Sequence, residues 1–115
     1  MTKISNSKEL DKIFEAFANR HRREIVYALS LQPCSISRLA EIRNLTLPAI
    51  YKHIKILKKA KLVLERKIGR IHFLSLNRDS LIVLQDWLAQ YHPFWGNNSE
   101  TLKNYEKYLK GGENK

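Results

Sequence analysis

The sequence contains one cysteine, Cys34, and no run of about 18 apolar residues of the kind that spans a membrane. A single cysteine cannot form an intramolecular disulfide bond, which fits a protein of a reducing compartment. The first residues, 1–6, lack the apolar stretch of a signal peptide. We therefore expect a cytoplasmic protein, and the length of 115 residues favours one domain with a small apolar core.

Groups used in catalysis and metal binding are also sparse. There is no Ser/His/Asp grouping, no pair of carboxylates near a histidine and no phosphate-binding glycine loop. The histidines belong to different predicted elements and do not form a metal-ligand set; they are His21, His53, His72 and His92. We therefore predict that the protein is not an enzyme and that it needs no metal or other cofactor.

The single cysteine allows two interpretations. Arg38 follows Cys34 closely in the sequence and could lower the pKa of the thiol enough to make a redox switch. A lone cysteine beside a helix more often fills a small, half-buried space in the fold. We favour this second interpretation of Cys34.

Acidic residues are in deficit, with 11 against 21 lysines and arginines and a net charge of +10. The excess of positive charge is local, because residues 46–70 contain eight lysines and arginines and one acid, Glu65. A surface that is merely well solvated does not explain this concentration. It indicates a polyanionic partner, because cations that approach phosphates release condensed counterions.

Residues 46–60 predict an amphipathic helix. A turn of about 100° per residue places Ile50, Ile54 and Leu57 on one face, with His53 at its edge. The opposite face carries Tyr51, Lys52, Lys55 and Lys59. Thr46 can cap the start of this helix, and Pro48 fits its first turn, where a missing N–H is harmless.

Five further helices and a hairpin are predicted around this segment. The helices are residues 8–18, 20–31, 36–42, 78–91 and a last one after residue 99 that Gly111 and Gly112 should stop, and their predicted caps are Ser7 or Asn6, Asn19, Ser35, Asn77 and Ser99. The strands are residues 62–67 and 71–76, joined at Gly69, which can take the positive φ of a turn. The third and fourth helices, separated by a tight turn, form a helix-turn-helix.

The second predicted helix begins with three arginines, Arg20, Arg22 and Arg23, in the turn where cations oppose the helix dipole. Something anionic should compensate them. The carboxylate of Glu24 or Glu15 is the simpler compensator and a bound phosphate the alternative, and we favour the carboxylates.

The last third of the chain holds six of the eleven aromatic residues: Trp87, Tyr91, Phe94, Trp95, Tyr105 and Tyr108. A domain this small cannot easily hide them all from water. We therefore predict that a second copy of the chain covers them. An apolar effector between the C-terminal helices is the alternative, and the sequence identifies no particular effector.

Residues 45–63, followed by Ile68, Gly69 and Arg70 and a strand, resemble the winged-helix repressors of the ArsR type. The resemblance extends upstream to residues 17–26 and 36–42. Downstream, the aromatic residues from Trp87 onward look like the C-terminal helices of a metal-free branch of that family. The resemblance covers residue 10 to about residue 110.

This resemblance implies a mainly α fold with a small β-hairpin, a winged helix-turn-helix with extra N- and C-terminal dimerisation helices. It implies a homodimer in which the first and last helices pair, the fourth helix enters the major groove of double-stranded DNA, and the hairpin touches the flanking backbone. We expect residues 1–92 to form the DNA-binding domain, residues 93–110 a dimerisation helix and residues 111–115 a frayed tail.

Three departures from the family pattern matter. Leu47 replaces the usual polar residue at the start of the recognition helix, and Tyr51 replaces a small hydroxyl residue. Base recognition therefore cannot be transferred from relatives. Lys61 stands where the family has glycine, and a lysine held there at positive φ costs about 1 kcal/mol.

From these patterns we assign candidate residues, each of which is also explicable as ordinary surface or core. Candidates for reading bases are Thr46, Leu47, Pro48, Tyr51 and Lys52, at the exposed first turns of the helix. Candidates for contacting the DNA backbone are His53, Lys55, Lys58, Lys59, Arg66, Lys67 and Arg70. Candidates for the dimer interface are Leu10, Phe14, Leu84, Trp87, Leu88, Tyr91, Phe94, Trp95, Leu102, Tyr105 and Leu109.

His53 has an alternative role, a half-buried structural hydrogen bond. The predicted function is a dimeric, sequence-specific DNA-binding regulator, most simply a repressor, whose operator is an imperfect palindrome with half-sites one turn apart. The alternative is a winged-helix module that binds nucleic acid non-specifically or binds a protein partner.

Overall fold

The structure is a computed structural model that describes residues 7–113. Within this range it contains six helices and a three-stranded antiparallel sheet, which confirms the predicted fold class. The elements are α1 (Ser7–Phe17), α2 (Arg20–Leu31), β1 (Cys34–Ser35), α3 (Ile36–Arg43), α4 (Leu47–Lys59), β2 (Val63–Ile68), β3 (Ile71–Leu76), α5 (Arg78–Leu88) and α6 (Thr101–Glu113).

Four of the predicted caps hold their helices. The side chain of each accepts a hydrogen bond from a backbone N–H in the first turn, and the four are Asn19, Ser35, Thr46 and Asn77. Ser7 is itself the first helical residue of α1, so of the two proposed caps only Asn6 precedes the helix, and it lies outside the described residues.

Two predictions at α6 are wrong. Ser99 does not cap the helix, because its hydroxyl donates to the Asn97 Oδ1, which also accepts from the Glu100 N–H in the turn that leads into α6. The helix also continues through Gly111 and Gly112 to its end at Glu113. A glycine stops a helix by taking a positive φ, and neither of these two glycines does.

The sheet has the order β1-β3-β2. The hairpin of β2 and β3 pairs Val63 with Leu76 and Ile68 with Ile71, and it turns at Gly69, whose φ of 64° confirms the predicted positive value. Strand β1 was not predicted from the sequence. It has only two residues, which pair with the middle of β3, and two residues are too few to show an alternating pattern.

The apolar core lies between α1–α4 and the sheet. Its largest fully buried side chains are Ile13, Ile25, Leu39, Ile50, Ile54, Leu57, Leu62 and Leu74. In the C-terminal third of the described chain no apolar side chain is fully buried. Ser80 is the one buried residue of α5. The core therefore fixes the helix-turn-helix and the wing.

The C-terminal helix extends away from this core. The radius of gyration is 20.5 Å and the longest dimension 74 Å, against about 13 Å for the radius of a compact domain of this length. The described contacts of α6 are with the loop before it, where Asn104 donates a hydrogen bond to the carbonyl of Trp95. The ring of Trp95 packs edge-on against Tyr105 and Tyr108.

Candidate nucleic-acid interface

A tight turn joins α3 to α4. Asn44 ends α3 in the left-handed conformation, with φ of 55°, and the Leu45 N–H returns to the carbonyl of Ala40 at 2.8 Å. Thr46 then caps α4, its hydroxyl accepting from the Ala49 N–H at 3.3 Å. Because the backbone of the turn is fixed at both ends, α4 has a defined direction relative to α3.

The outer face of α4 is exposed as the periodicity predicts. All five base-reading candidates lie together on its cap and first two turns and are exposed: Thr46, Leu47, Pro48, Tyr51 and Lys52. Leu47 is 51% exposed and Tyr51 46%, which are large values for an apolar and an aromatic side chain. The lysines at 55, 58 and 59 continue this exposed face toward the end of the helix.

The wing carries the remaining basic candidates, Arg66, Lys67 and Arg70, all exposed near the turn at Gly69. Ile68 and Ile71, one on each side of the turn, are also at least half exposed. The hairpin tip thus presents both cations and apolar surface, which suits contact with a sugar-phosphate backbone.

Glu65, the one acid of this region, connects the wing to the end of α4. Its carboxylate accepts from Lys58 Nζ at 2.7 Å and lies 2.7 Å from the Nδ1 of His72 on β3. The hydrogen bond from Lys58 lowers the pKa of Glu65, and the one from His72 adds to this, although burial acts in the opposite direction. Lys58 is therefore partly neutralised, unlike its neighbours on α4.

An open cleft of about 480 Å³ lies between α4 and β2. It is lined by Tyr51, Ile54, Lys55, Lys58, Lys59 and Glu65. Because Ile54 is buried, it forms an apolar floor, and the lysines provide positively charged walls. The cleft is continuous with the basic face of α4, so it belongs to the same candidate interface.

The partners of the arginines at the start of α2 differ from the prediction. Arg22 is only 9% exposed and donates to the carbonyl oxygens of Ala16, at 2.8 Å, and Glu15, at 3.0 Å. Arg23 donates to the carbonyl of Phe17 at 2.7 Å. The compensating groups are thus main-chain carbonyls at the end of α1, where the helix dipole is negative, and the predicted carboxylates do not fill this role.

Arg22 also reaches α4. Its Nη1 lies 3.2 Å from the Nδ1 of His53, so His53 makes the half-buried structural hydrogen bond that we considered as its alternative role. Burial lowers the pKa of His53, and the positive charges of Arg22 and His21 lower it further. Sequence reasoning missed this contact because the two residues are 31 positions apart.

The predicted dimer residues form two patches, which are exposed except for the half-buried Leu10, Leu84 and Trp87. The first lies on α1 and α5, where Phe14 meets Trp87 edge-on at 4.8 Å and Trp87 meets Tyr91 at 5.1 Å. The second lies on the loop before α6 and on α6 itself, where Phe94 and Leu102 are each 79% exposed. The other members are Leu10, Leu84 and Leu88 in the first patch and Trp95, Tyr105 and Leu109 in the second.

Cys34 is half-buried, and burial raises the pKa of its thiol more than Arg38 lowers it. This opposes the low-pKa thiolate that a redox switch requires. Across residues 7–113, no three histidine, cysteine, aspartate or glutamate side chains are placed to hold a metal ion. None of the helices in that range is both long and apolar enough to cross a membrane.

Known regulatory proteins have sequences similar to this one. A family model described as "Bacterial regulatory protein, arsR family" matches residues 19–64, from the cap of α2 into β2. The HTH-type transcriptional regulator Rv2034 of Mycobacterium tuberculosis is 31% identical over 88 residues, 76% of this chain and 82% of that protein. The transcriptional repressor SdpR of Bacillus subtilis is 27% identical over 82 residues, 71% of this chain and 91% of that protein.

A solved structure has the same fold. It is the homodimeric winged helix-turn-helix DNA-binding domain of Mb0332 from Mycobacterium bovis, with a TM-score of 0.64 and 19% sequence identity. The match covers 80% of this chain and 92% of that one. At this identity the likeness establishes the fold alone.

Proposed function

The chain belongs to the arsR family of bacterial regulatory proteins, and from this membership we propose that it is a dimeric, cytoplasmic repressor of transcription that binds a specific DNA operator. The observation that carries the proposal is the exposed first half of α4, which is fixed by the turn at Asn44 and bordered by lysines. The name of SdpR, a repressor, supports the direction of regulation.

In this proposal, recognition and affinity come from different residues. Leu47 and Pro48 pack against thymine methyl groups, while Tyr51 and Lys52 donate hydrogen bonds to base edges or nearby phosphates. The lysines at 55 and 59 and the basic residues of the wing neutralise phosphates, which adds affinity without sequence information. The cleft between α4 and β2 accommodates part of the sugar-phosphate backbone of one DNA strand.

The dimer is proposed from the two exposed apolar patches, and the homodimeric state of the Mb0332 domain supports it. Two-fold symmetry presents one α4 to each half-site. An operator with imperfect palindromic symmetry, and half-sites about 34 Å apart, follows from this arrangement.

The test is binding of the purified protein to fragments of its own genome at near-physiological salt, with sequencing of the retained fragments and mass measurement of the complex. Enrichment of one palindromic site by two chains is the expected result. Uniform retention of all fragments would contradict the proposal and favour a module that binds nucleic acid non-specifically.

A double substitution tests the basic face separately. The change Lys55→Ala with Lys59→Ala should weaken operator and unrelated duplexes alike and reduce the salt slope of binding by about two per protomer, which is about four for the dimer. The matched control is Lys8→Ala with Lys12→Ala, two exposed lysines of α1, for which the slope should not change. An unchanged slope in the first variant would exclude these lysines from the interface.

A further inference from the structure

Four side chains from three helices form a compact group behind the recognition helix. Arg22 Nη1 lies 3.2 Å from the Nδ1 of His53, and the Nη2 and Nε of Arg43 lie 3.1 and 3.2 Å from the Nδ1 of His21. The two imidazole rings are 5.5 Å apart. The group therefore joins α2, α3 and α4, the three helices that position the helix-turn-helix.

The hydrogen bond from Arg22 defines the protonation state of His53. A guanidinium group only donates hydrogen bonds and stays protonated in proteins, so the Nδ1 of His53 must accept with its lone pair. The ring of His53 is then neutral, with its remaining proton on Nε2. A proton added to the Nδ1 of His53 would face the Arg22 donor and bring two positive charges together.

Around His53 there are few charged groups that could favour its protonated form. Arg22 and His21 face it from α2, and both disfavour added positive charge. Arg43 of α3 faces His21, and Glu24 lies 3.9 Å from Arg43 rather than beside His53. From α1 the group receives only the carbonyls of Glu15 and Ala16, which bind Arg22.

Arg22 connects this group to the end of α1, the helix that carries one of the proposed dimer patches. The same guanidinium holds two carbonyls of α1 and the ring of His53 on α4. Because Arg22 is buried, it has little freedom to release one partner and keep the other. The contact between Arg22 and His53 thus adds a polar link between α1 and α4, beside their apolar packing in the core.

We propose that Arg22 and His53 are positioning residues which couple α1 to the recognition helix, and that selective operator binding requires a neutral His53. This inference rests on the proposed function. Because the pKa of folded His53 is lowered, the contact is intact above the ordinary pKa of about 6.5 and is lost as the pH falls through the folded value. His53 acts here through the orientation of α4 rather than by binding a phosphate.

The first experiment compares affinity for the operator with affinity for a scrambled duplex of equal length, at constant ionic strength, at pH 7.5 and at a pH about one unit below the titration midpoint of His53 measured by NMR. For the wild-type protein the ratio should fall by about tenfold or more at the lower pH, the effect of losing one hydrogen bond to a charged group. For His53→Asn the ratio should not change with pH, because the asparagine Oδ1 accepts near the position of Nδ1 and does not titrate.

The matched control is His92→Asn, which removes an exposed histidine from the loop after α5 and should keep the wild-type pH dependence. If the affinity ratio of His53→Asn also fell at the lower pH, the proposal would be overturned and the pH dependence would belong to another group. An equal ratio at both pH values in the wild-type protein would also overturn it.

Nitrogen-15 NMR of the histidine rings tests the contact without DNA. At pH 7.5 the His53 signal should show the Nε2–H tautomer, and its titration midpoint should lie below the ordinary histidine pKa of about 6.5. A proton on Nδ1 at pH 7.5 would contradict the inference. If no duplex is bound selectively at pH 7.5, the proposed function fails instead, and the NMR result still decides whether the contact between Arg22 and His53 exists.

Discussion

The first two thirds of the described chain and the last third contain similar side chains and use them differently. In α1–α4 and the sheet, the apolar residues at helical spacing are buried, as with Leu57, which has no exposed surface. In α6 the same spacing of leucines and aromatic residues remains exposed, as with Leu102, and in α5 it is divided between half-buried residues such as Leu84 and exposed ones such as Leu88. The amphipathic pattern is equal in both regions, so the pattern alone does not reveal whether the covering surface comes from the same chain.

This contrast assigns different properties to the two regions. The free energy of unfolding of one chain should depend on the buried core of α1–α4 and the sheet. Association between chains should depend on the exposed patches of α1, α5 and α6. Substitutions of the same chemical kind in each region separate these two quantities.

The largest effect on the stability of one chain is expected in the core. Leu57→Ala should lower the free energy of unfolding by about 3 kcal/mol, because it leaves a cavity in a fully buried position. Leu102→Ala is the matched control and should change it by less than about 0.5 kcal/mol when the chain is monomeric. Chemical denaturation at low protein concentration measures both. If both substitutions lowered the free energy of unfolding equally, α6 would contribute to the stability of one chain as much as the core does.

The next effect concerns association. Leu109→Asp should raise the dimer dissociation constant by about tenfold to a hundredfold, since a charge would enter an apolar contact. Leu31→Asp places the same charge on an exposed leucine of α2, outside the proposed patches, and should leave the constant unchanged. Sedimentation equilibrium gives both values. Similar dissociation constants for the two variants would show that α6 does not lie in the interface.

A smaller effect is expected where the two regions meet. The hydroxyl of Ser80 donates to the carbonyl of Lys61 at 2.5 Å and lies 3.3 Å from that of Ala60, so it holds α5 against the end of α4. Ser80→Ala should cost about 1 kcal/mol in thermal unfolding, whereas the exposed Ser37→Ala should cost almost nothing. No difference between them would mean that α5 is held by its apolar contacts alone.

The smallest effect concerns a strained residue within the packed region. Lys61 has a φ of 57°, the left-handed conformation that favours glycine. Lys61→Gly should raise the free energy of unfolding by about 0.5–1 kcal/mol. Lys59→Gly, two residues earlier at the last residue of α4, should lower the free energy of unfolding by at most a similar amount. A loss of stability in Lys61→Gly would indicate that the lysine side chain makes a compensating contact.

Local features of this fold could be predicted from the sequence. Caps such as Thr46 and Asn77 act on the next one to three residues, and the stripe through Ile50 and Leu57 depends only on helical geometry. The glycines of α6 show the limit of such rules, because a glycine permits a helix to end but does not require it.

Contacts between distant parts of the chain were not predictable. The bond between Arg22 and His53 depends on how α2 packs against α4, and nothing near either residue in the sequence indicates it. Strand β1 depends in the same way on β3, which lies about 40 residues later. The candidate DNA-contacting residues were recognisable because they lie on one continuous helix and one hairpin.

The position of α6 outside the packed core has a consequence for hydrogen exchange. Its backbone amides are protected by the helix itself and by contacts with the loop before it, such as the bond from Asn104 to the carbonyl of Trp95. Segments with few buried apolar contacts open locally at a small cost in free energy, whereas the amides of a core helix exchange mainly through global unfolding. In a single chain the amides of α6 should therefore exchange much faster than those of α4. A second chain that covers the exposed patch on α6 should slow this exchange.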